Sequence, residues 1–265
     1  MSLDTIRRFA EEPDYELPEP WLPGRRIITP QFTLGMSPTP TMSVISRVRT
    51  TREGLDATIA EVRRILRAHG YVACGWYVGP SCRPVELVDL LRERGFTPAS
   101  QPPFEPHFTA MMMTSEPQAT PPSEGIEARL VRDRDEYARA MRAGLTAAGE
   151  SEEAIADFIA GGAAGWDHES GVARMTHIAF ADGEVAGLGM LTYGPSAFLL
   201  GGGAVLPAFR GRGVYRALVS ARWKTAVAAG KPALTVHAGA MSRPILERCG
   251  FEKVCGVEVL LDPDL

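Results

Sequence analysis

A glycine-arginine turn between an apolar strand and an alanine-rich helix constrains the fold of this 265-residue chain most strongly. The turn, Arg210-Gly211-Arg212-Gly213, follows the apolar, glycine-broken segment 197–206 and precedes the helical pattern of residues 214–229. Glycine permits positive φ and a close approach of the backbone to a ligand. Free N–H groups at a helix start, the helix dipole and arginine side chains all favour an anion. The sequence therefore predicts a strand, a phosphate-binding turn and a helix, although a tight connection with solvated arginines explains the turn by itself equally well.

A second strand and helix follow directly along the chain. Residues 233–238 predict a short strand, Ser242 is placed to cap the helix that ends near Arg248, and Gly250 is a C-terminal stop. A final strand is predicted over residues 254–261, and residues 126–130 predict an earlier one. The order of these elements gives the turn a specific structural context.

Taken together, these segments resemble the GCN5-related N-acetyltransferases, whose acyl-coenzyme A site carries Arg/Gln-x-x-Gly-x-Gly/Ala at a helix start. Residues 210–215 fit five of the six positions, and Tyr215 replaces the usual small residue. The resemblance covers roughly residues 126–261. It implies an acyl-coenzyme A thioester in a splayed V between two parallel strands, attacked directly by an amine. The residues that it assigns to the cofactor are Ala204, Val205, Leu206, Arg210, Gly211, Arg212, Gly213, Val214 and Tyr215.

The N-terminal half contains a partial copy of the same pattern. Gly79-x-x-x-Arg83-Pro84 recurs as Gly239-x-x-x-Arg243-Pro244, and in both places a helix follows and ends in Gly-Phe. A strand over residues 42–48 and a helix over 56–69 precede the first copy, but the turn between them lacks the Gly-x-Gly spacing. A chance likeness between two strand-helix units is the alternative explanation.

The predicted fold class is α/β, with two acetyltransferase-like units, each a mixed twisted sheet flanked by helices and the N-terminal one partial. Residues 1–35 are dense in proline and predict a tail without regular elements. Residues 36–113 then form the degenerate unit, 114–124 a stiff proline-rich linker, and 125–265 the unit that binds acetyl-coenzyme A. Tandem members of the family offer a precedent for one active and one degraded half.

The catalytic groups are less evident than the cofactor site. Many family members carry a general-acid tyrosine four residues before the glycine of the Gly-Phe ending, and Leu246 occupies that position here. Water, Ser242 or Tyr215 remain as proton donors to the thiolate, although Ser242 also fits a helix N-cap and Tyr215 a packed aromatic. His237 is the candidate base because imidazole titrates in the right range, and a core histidine is its alternative.

Trp166, His168 and Glu169 are the candidate acceptor-binding residues, in a segment expected to overhang the acceptor cleft. An aromatic ring beside an acid suits a cationic acceptor, and a solvated loop explains the same residues equally well.

Composition limits the partners of the chain. A net charge of −4 gives no reason to expect nucleic acid or an anionic membrane. No window is apolar over a membrane-spanning length, and the first ten residues are too charged for a secretory signal, so a cytoplasmic location is expected. The four cysteines lack zinc-ligand spacing, and no metal is expected. The chain is compatible with a monomer or a homodimer.

The function that the resemblance implies is an N-acetyltransferase that moves an acetyl group from acetyl-coenzyme A to a primary amine. A small-molecule acceptor is expected, and a peptide or protein N-terminus or a lysine is the alternative. The first alternative is a pseudoenzyme that binds acyl-coenzyme A without catalysis, consistent with Leu246 in the tyrosine position. The second is an unrelated nucleotide-binding module, against which the chain has no Gly-x-x-x-x-Gly-Lys-Ser/Thr motif.

Overall fold

The computed structural model describes residues 2–17, 24–37, 42–100, 104–117, 124–160 and 174–265. The strands are β1 (Arg25–Ile28), β2 (Thr33–Met36), β3 (Ser43–Ser46), β4 (Gly75–Val78), β5 (Thr97–Pro98), β6 (His107–Met113), β7 (Ile126–Leu130), β8 (Arg174–Ala181), β9 (Glu184–Tyr193), β10 (Phe198–Val205), β11 (Leu234–Ala238) and β12 (Glu252–Leu261). The α-helices are α1 (Leu3–Glu11), α2 (Pro13–Glu16), α3 (Leu55–Ala68), α4 (Leu87–Glu93), α5 (Arg134–Ala148), α6 (Glu152–Ala160), α7 (Val214–Ala228) and α8 (Arg243–Cys249). None of these helices is long and apolar enough to cross a membrane.

The α/β prediction is confirmed, and the strands join into one mixed sheet of the order β1-β2-β3-β4-β12-β6-β11-β10-β9-β8-β7, with β5 beside β12. Each half contributes a parallel strand pair, β3 with β4 and β10 with β11, as the sequence repeat predicts. The two largest hydrophobic clusters of the described residues lie around Trp76 in one and around Phe198 and Trp223 in the other.

The two halves exchange their last strands. Strand β6 ends the first half in sequence but pairs with β11 of the second, whereas β12 ends the second half and pairs with β4 of the first. Strands β6 and β12 also pair with each other, which makes the sheet continuous. The sequence boundaries at residues 114–124 stay a prediction, and the sheet is not divided there.

The expectation that residues 1–35 lack regular elements is wrong for the described part of that segment. Helix α1 begins after Ser2, whose hydroxyl accepts a hydrogen bond from the Thr5 N–H, and β1 and most of β2 also fall within the segment. Ile6 and Phe9 of α1 are buried against Met112 of β6. The amphipathic spacing of these apolar residues outweighs the proline content of the surrounding segment.

Candidate active site

Strands β10 and β11 separate part of the way along their length. They pair in parallel only at Phe198 with Leu234 and at Leu199 with Thr235. Beyond Leu199, β10 bulges against β9 between Gly201 and Ala204, so that three steps on β10 match two on β9. The separation leaves an open split in the sheet, which is the feature that the family resemblance implies.

The turn after β10 leads into α7 as predicted. Gly211 and Gly213 have φ of 77° and 89°, in the left-handed region that favours glycine. Gly213 is the N-cap of α7 and carries no side chain, so the first N–H groups of the helix face an open space. A cavity of about 520 Å³ lies at this helix start.

The cavity at the start of α7 is basic, and it is the smaller of two cavities described below. Arg210, Arg216 and Arg248 contribute to its wall, and no carboxylate does so among the described residues. Positive side chains, a helix N-terminus and two glycines together suit a phosphate or pyrophosphate. Of the residues predicted to hold the cofactor, the cavity wall contains Ala204, Val205, Arg210, Gly211, Gly213, Val214 and Tyr215.

Two of the predicted cofactor residues do not line the cavity. The guanidinium of Arg212 donates to the carboxylate of Asp182 at 2.5 Å, which directs it toward the loop between β8 and β9. Leu206 donates its N–H to the carbonyl of Ala186. Arg248 was not among the residues predicted to hold the cofactor. It contributes to the cavity because it lies at the end of α8, a helix that packs beside α7.

A second cavity of about 590 Å³ extends from the split toward α5 and β6. Both cavities share wall residues at the split: Ala147, Gly203, Ala204, Tyr215 and Ser242. A ligand that fills the smaller cavity can therefore reach the larger one across this junction. Such an arrangement can bring two substrates together, which supplies much of the rate in a bimolecular transfer.

His237 lies on the wall of the larger cavity, and its ring is held in one orientation. Its Nε2 is 2.9 Å from the carbonyl oxygen of Ala10 in α1, and since a carbonyl only accepts, Nε2 carries the proton. The lone pair of the neutral ring is then on Nδ1. Burial lowers the pKa of His237, and the carbonyls of Ala10 and Glu11 oppose that shift less strongly. The structure thus places a neutral imidazole beside the cavity.

The sequence interpretation missed Glu105, which is the only carboxylate on the wall of either cavity among the described residues. Its Oε2 accepts the backbone N–H of Ala240 at 2.9 Å, so the carboxylate is fixed at the end of β11. Tyr77 and Phe108 stack at 5.7 Å between ring centroids, and each lies within 6.3 Å of the His237 ring. Aromatic faces beside a carboxylate suit a cationic group.

Tyr215 and Ser242, the candidate proton donors, both lie at the junction of the cavities. The ring of Tyr215 packs on Gly203, where an added Cβ would lie 2.9 Å from Cε2 of the ring. Ser242 precedes α8 but makes no side-chain cap, and its hydroxyl is 3.4 Å from the Gly239 carbonyl. Leu246 is fully buried in the second core and takes no part in the cavities.

The remaining predicted site residues, Trp166, His168 and Glu169, lie outside the described residues. Their assignment to the acceptor stays a prediction.

The corresponding split in the first half is closed. The Arg83 N–H donates to the Val48 carbonyl at 2.9 Å, and the Thr50 N–H donates to the Arg83 carbonyl at 3.3 Å. The guanidinium of Arg49 donates to the carboxylate of Glu12 from the N-terminal segment at 2.8 Å. In the first half, backbone pairing and an internal ion pair therefore fill the space that corresponds to the open split between β10 and β11.

Solved structures share this architecture along nearly the whole chain. A GCN5-related N-acetyltransferase from Kribbella flavida has a TM-score of 0.70 at 14% sequence identity, covering 99% of this chain and 97% of that one. A tandem GNAT protein from the clavulanic acid biosynthesis pathway has a TM-score of 0.60 at 16% identity, covering 87% and 78%. A GCN5-related N-acetyltransferase from Sphaerobacter thermophilus has a TM-score of 0.62 at 14% identity, covering 87% and 76%. No protein-family model and no curated protein matches the sequence, so the likeness is one of fold.

Proposed function

We propose that this chain, which has the fold of the GCN5-related N-acetyltransferases, transfers an acetyl group from acetyl-coenzyme A to a primary amine of a small molecule. The observation that carries the proposal is the pair of joined cavities of different character. One is basic and lies at a helix start, and the other has, among the residues that the structure describes, one carboxylate, aromatic rings and a neutral histidine. The split between β10 and β11 connects them.

The smaller cavity has the donor set that the pyrophosphate of coenzyme A needs. The N–H groups at the start of α7 and the guanidinium groups of Arg210, Arg216 and Arg248 would hold the phosphates. When bound, acetyl-coenzyme A supplies a thioester as the acyl donor. The proposal puts the thioester beside the glycines of the β10 bulge, whose backbone N–H groups would stabilise negative charge on the acyl oxygen.

The larger cavity would bind the amine. Glu105 attracts the ammonium form, and the ring of Phe108, on which Tyr77 stacks, lies on the same wall. An amine must lose a proton before it can attack, and Nδ1 of His237 is available to accept one. Glu105 is a second acceptor for this proton. The walls that β6 and α5 contribute to the larger cavity favour a small molecule over a protein terminus, and a cytoplasmic location is part of this proposal.

A second candidate function is acyl-coenzyme A binding without catalysis. Leu246 favours it, because a buried aliphatic side chain replaces the general-acid tyrosine of many family members. The two functions differ in turnover and agree in cofactor binding.

Release of free thiol from acetyl-coenzyme A, measured across a panel of primary amines, tests the proposal. Amine-dependent release by the parent protein and none by Glu105→Gln combined with His237→Gln is the expected result. Absence of amine-dependent release with every amine, while coenzyme A still binds, would establish the non-catalytic function instead.

A further inference from the structure

A buried guanidinium lies between α7 and β9, on the wall of the larger cavity. Arg222 of α7 is 1% exposed and forms part of the wall of the larger cavity. Its Nε donates to the Leu218 carbonyl at 3.0 Å, and Nη1 donates to the Met190 carbonyl at 3.3 Å. Its Nη2 is buried and has no hydrogen-bond partner among the described residues. One arm of the guanidinium is therefore unused within the described chain.

The charge of Arg222 has no carboxylate partner within the described part of the chain. Burial lowers the pKa of Arg222, and the phenol of Tyr215, whose ring centroid is 5.9 Å from Cζ, and the thiol of Cys249 offset this effect only in part. The neighbouring His177 is neutral, because burial and the charge of Arg222 lower its pKa to about 3. Arginine is almost never fully buried unless it is paired, since an isolated cation loses its hydration. A water molecule could fill the hydrogen bond at Nη2, but it would leave the charge unbalanced.

The surrounding backbone makes room for the guanidinium. A Cβ at Gly189 of β9 would lie 2.9 Å from Cζ of Arg222, so only glycine allows the side chain to lie flat against this strand. A Cβ at Gly201 of β10 would meet no atom within 4 Å, which shows open space beside the bulge. The backbone at Gly189 is therefore shaped around the cation, and Arg222 forms part of the cavity wall.

We propose that Arg222 binds a carboxylate of a substrate in the larger cavity, an inference that rests on the proposed acyl transfer. One free nitrogen suits a single carboxylate oxygen, whereas a phosphate would require several donors. The phosphates of coenzyme A have their own arginines in the smaller cavity. The carboxylate belongs either to the acyl group of the donor or to the amine acceptor, and the two sources are distinguishable by binding.

The donor is tested by calorimetric titration with succinyl-coenzyme A and butyryl-coenzyme A, which have acyl chains of equal length and differ in the terminal carboxylate. If the donor supplies the carboxylate, the parent protein binds the succinyl compound about 10-fold or more tightly than the butyryl compound, as expected for a charge-assisted hydrogen bond. Arg222→Met removes this preference and leaves the affinity for free coenzyme A unchanged. Arg222→Lys restores part of it, because the charge is retained.

The acceptor is tested in the same way with amino acids and their amides, in the presence and in the absence of coenzyme A. If the acceptor supplies the carboxylate, the amino acid binds about 10-fold or more tightly than its amide, and Arg222→Met removes the difference. Arg7→Met, which changes an exposed arginine of α1 paired only with Asp4 among the described residues, is the matched control and keeps the preference. Thermal unfolding of each variant shows whether its fold is intact.

Equal affinities within both pairs of compounds, in a parent protein that binds coenzyme A, would overturn the inference and leave the proposed function standing. The guanidinium would then serve only to fasten α7 to β9. If coenzyme A does not bind, the titrations without it still decide the inference: an Arg222-dependent preference for the amino acid supports it, and equal affinities overturn it. Failure of the proposed function is thus separate from failure of the carboxylate site.

Discussion

The Nε2 atom of His237 lies 2.9 Å from the carbonyl oxygen of Ala10, which joins β11 of the second half to the N-terminal helix. This contact fixes the tautomer of the imidazole and leaves Nδ1 as the nitrogen that can accept a proton. The same helix ends at Glu11, and the adjacent Glu12 holds Arg49 of the first half. Helix α1 thereby connects the open split of one half to the closed split of the other.

Replacement of His237 by glutamine is expected to slow amine acetylation by about 100-fold, the usual contribution of a general base. The affinity for coenzyme A should not change, because His237 does not line the cavity at the start of α7. His69→Gln, at the end of α3 in the first half, is the control and should keep full activity. A fully active His237→Gln variant would remove this residue from the mechanism.

The pH profile gives an independent test of the same residue. Burial lowers the pKa of His237, so the neutral, proton-accepting form persists below the ordinary value of about 6.5. Activity should therefore fall only as the pH drops through this lowered pKa, and the falling limb should be absent in His237→Gln. If kcat/KM falls with pH in the same way in the parent and in the variant, a group other than His237 causes the fall.

Replacement of Glu105 by glutamine should raise KM for the amine by about 10-fold, because a charged hydrogen-bonding partner is lost in a partly enclosed site. The amide can still accept the Ala240 N–H, so the loop geometry should persist. Glu247→Gln, an exposed residue of α8 paired with Arg243, is the control. An unchanged KM would show that Glu105 serves only the backbone of the β11–α8 connection.

The N-terminal helix should be essential to stability. Phe9 is fully buried against the sheet, and Phe9→Ala should lower the free energy of unfolding by about 3–5 kcal/mol. Leu3→Ala on the same helix, where the side chain is 50% exposed, should change it little. Chemical denaturation of the two variants makes the comparison, and equal stabilities would mean that α1 adds little to the fold.

Glu136 should make the fold sensitive to acid. The guanidinium of Arg129 donates to it at 2.6 and 2.8 Å and, despite burial, holds the pKa of the carboxyl at about 2. The stabilisation is complete above the ordinary pKa of 4.5 and is lost as the pH falls toward 2. Glu136→Gln should remove this part of the pH dependence, while Glu127→Gln, whose side chain is 62% exposed, should retain it. Unfolding free energies between pH 5 and 2 provide the measurement, and matching slopes in the parent and Glu136→Gln would contradict the assignment.

The sequence predicted what depends on neighbours along the chain. The strand over residues 126–130, the turn at Gly211 and Gly213, and the helix from Val214 agree with the structure, because periodicity and glycine conformation are local properties. The strand exchange was not predictable, since β6 and β12 lie far apart in sequence and both pair with strands of the opposite half. Glu105 was missed for this reason: only the pairing of β6 with β11 brings it to the site.

Calorimetric titration with acetyl-coenzyme A tests the central claim most directly, with Gly213→Glu and Gly230→Glu as a matched pair. Both glycines have positive φ, so each substitution strains the backbone similarly, but only Gly213 lies on the basic cavity. At Gly230 an added Cβ meets nothing within 4 Å. The account predicts binding by the parent and by Gly230→Glu, and none by Gly213→Glu. Absence of binding by the parent, or equal binding by all three proteins, would contradict it.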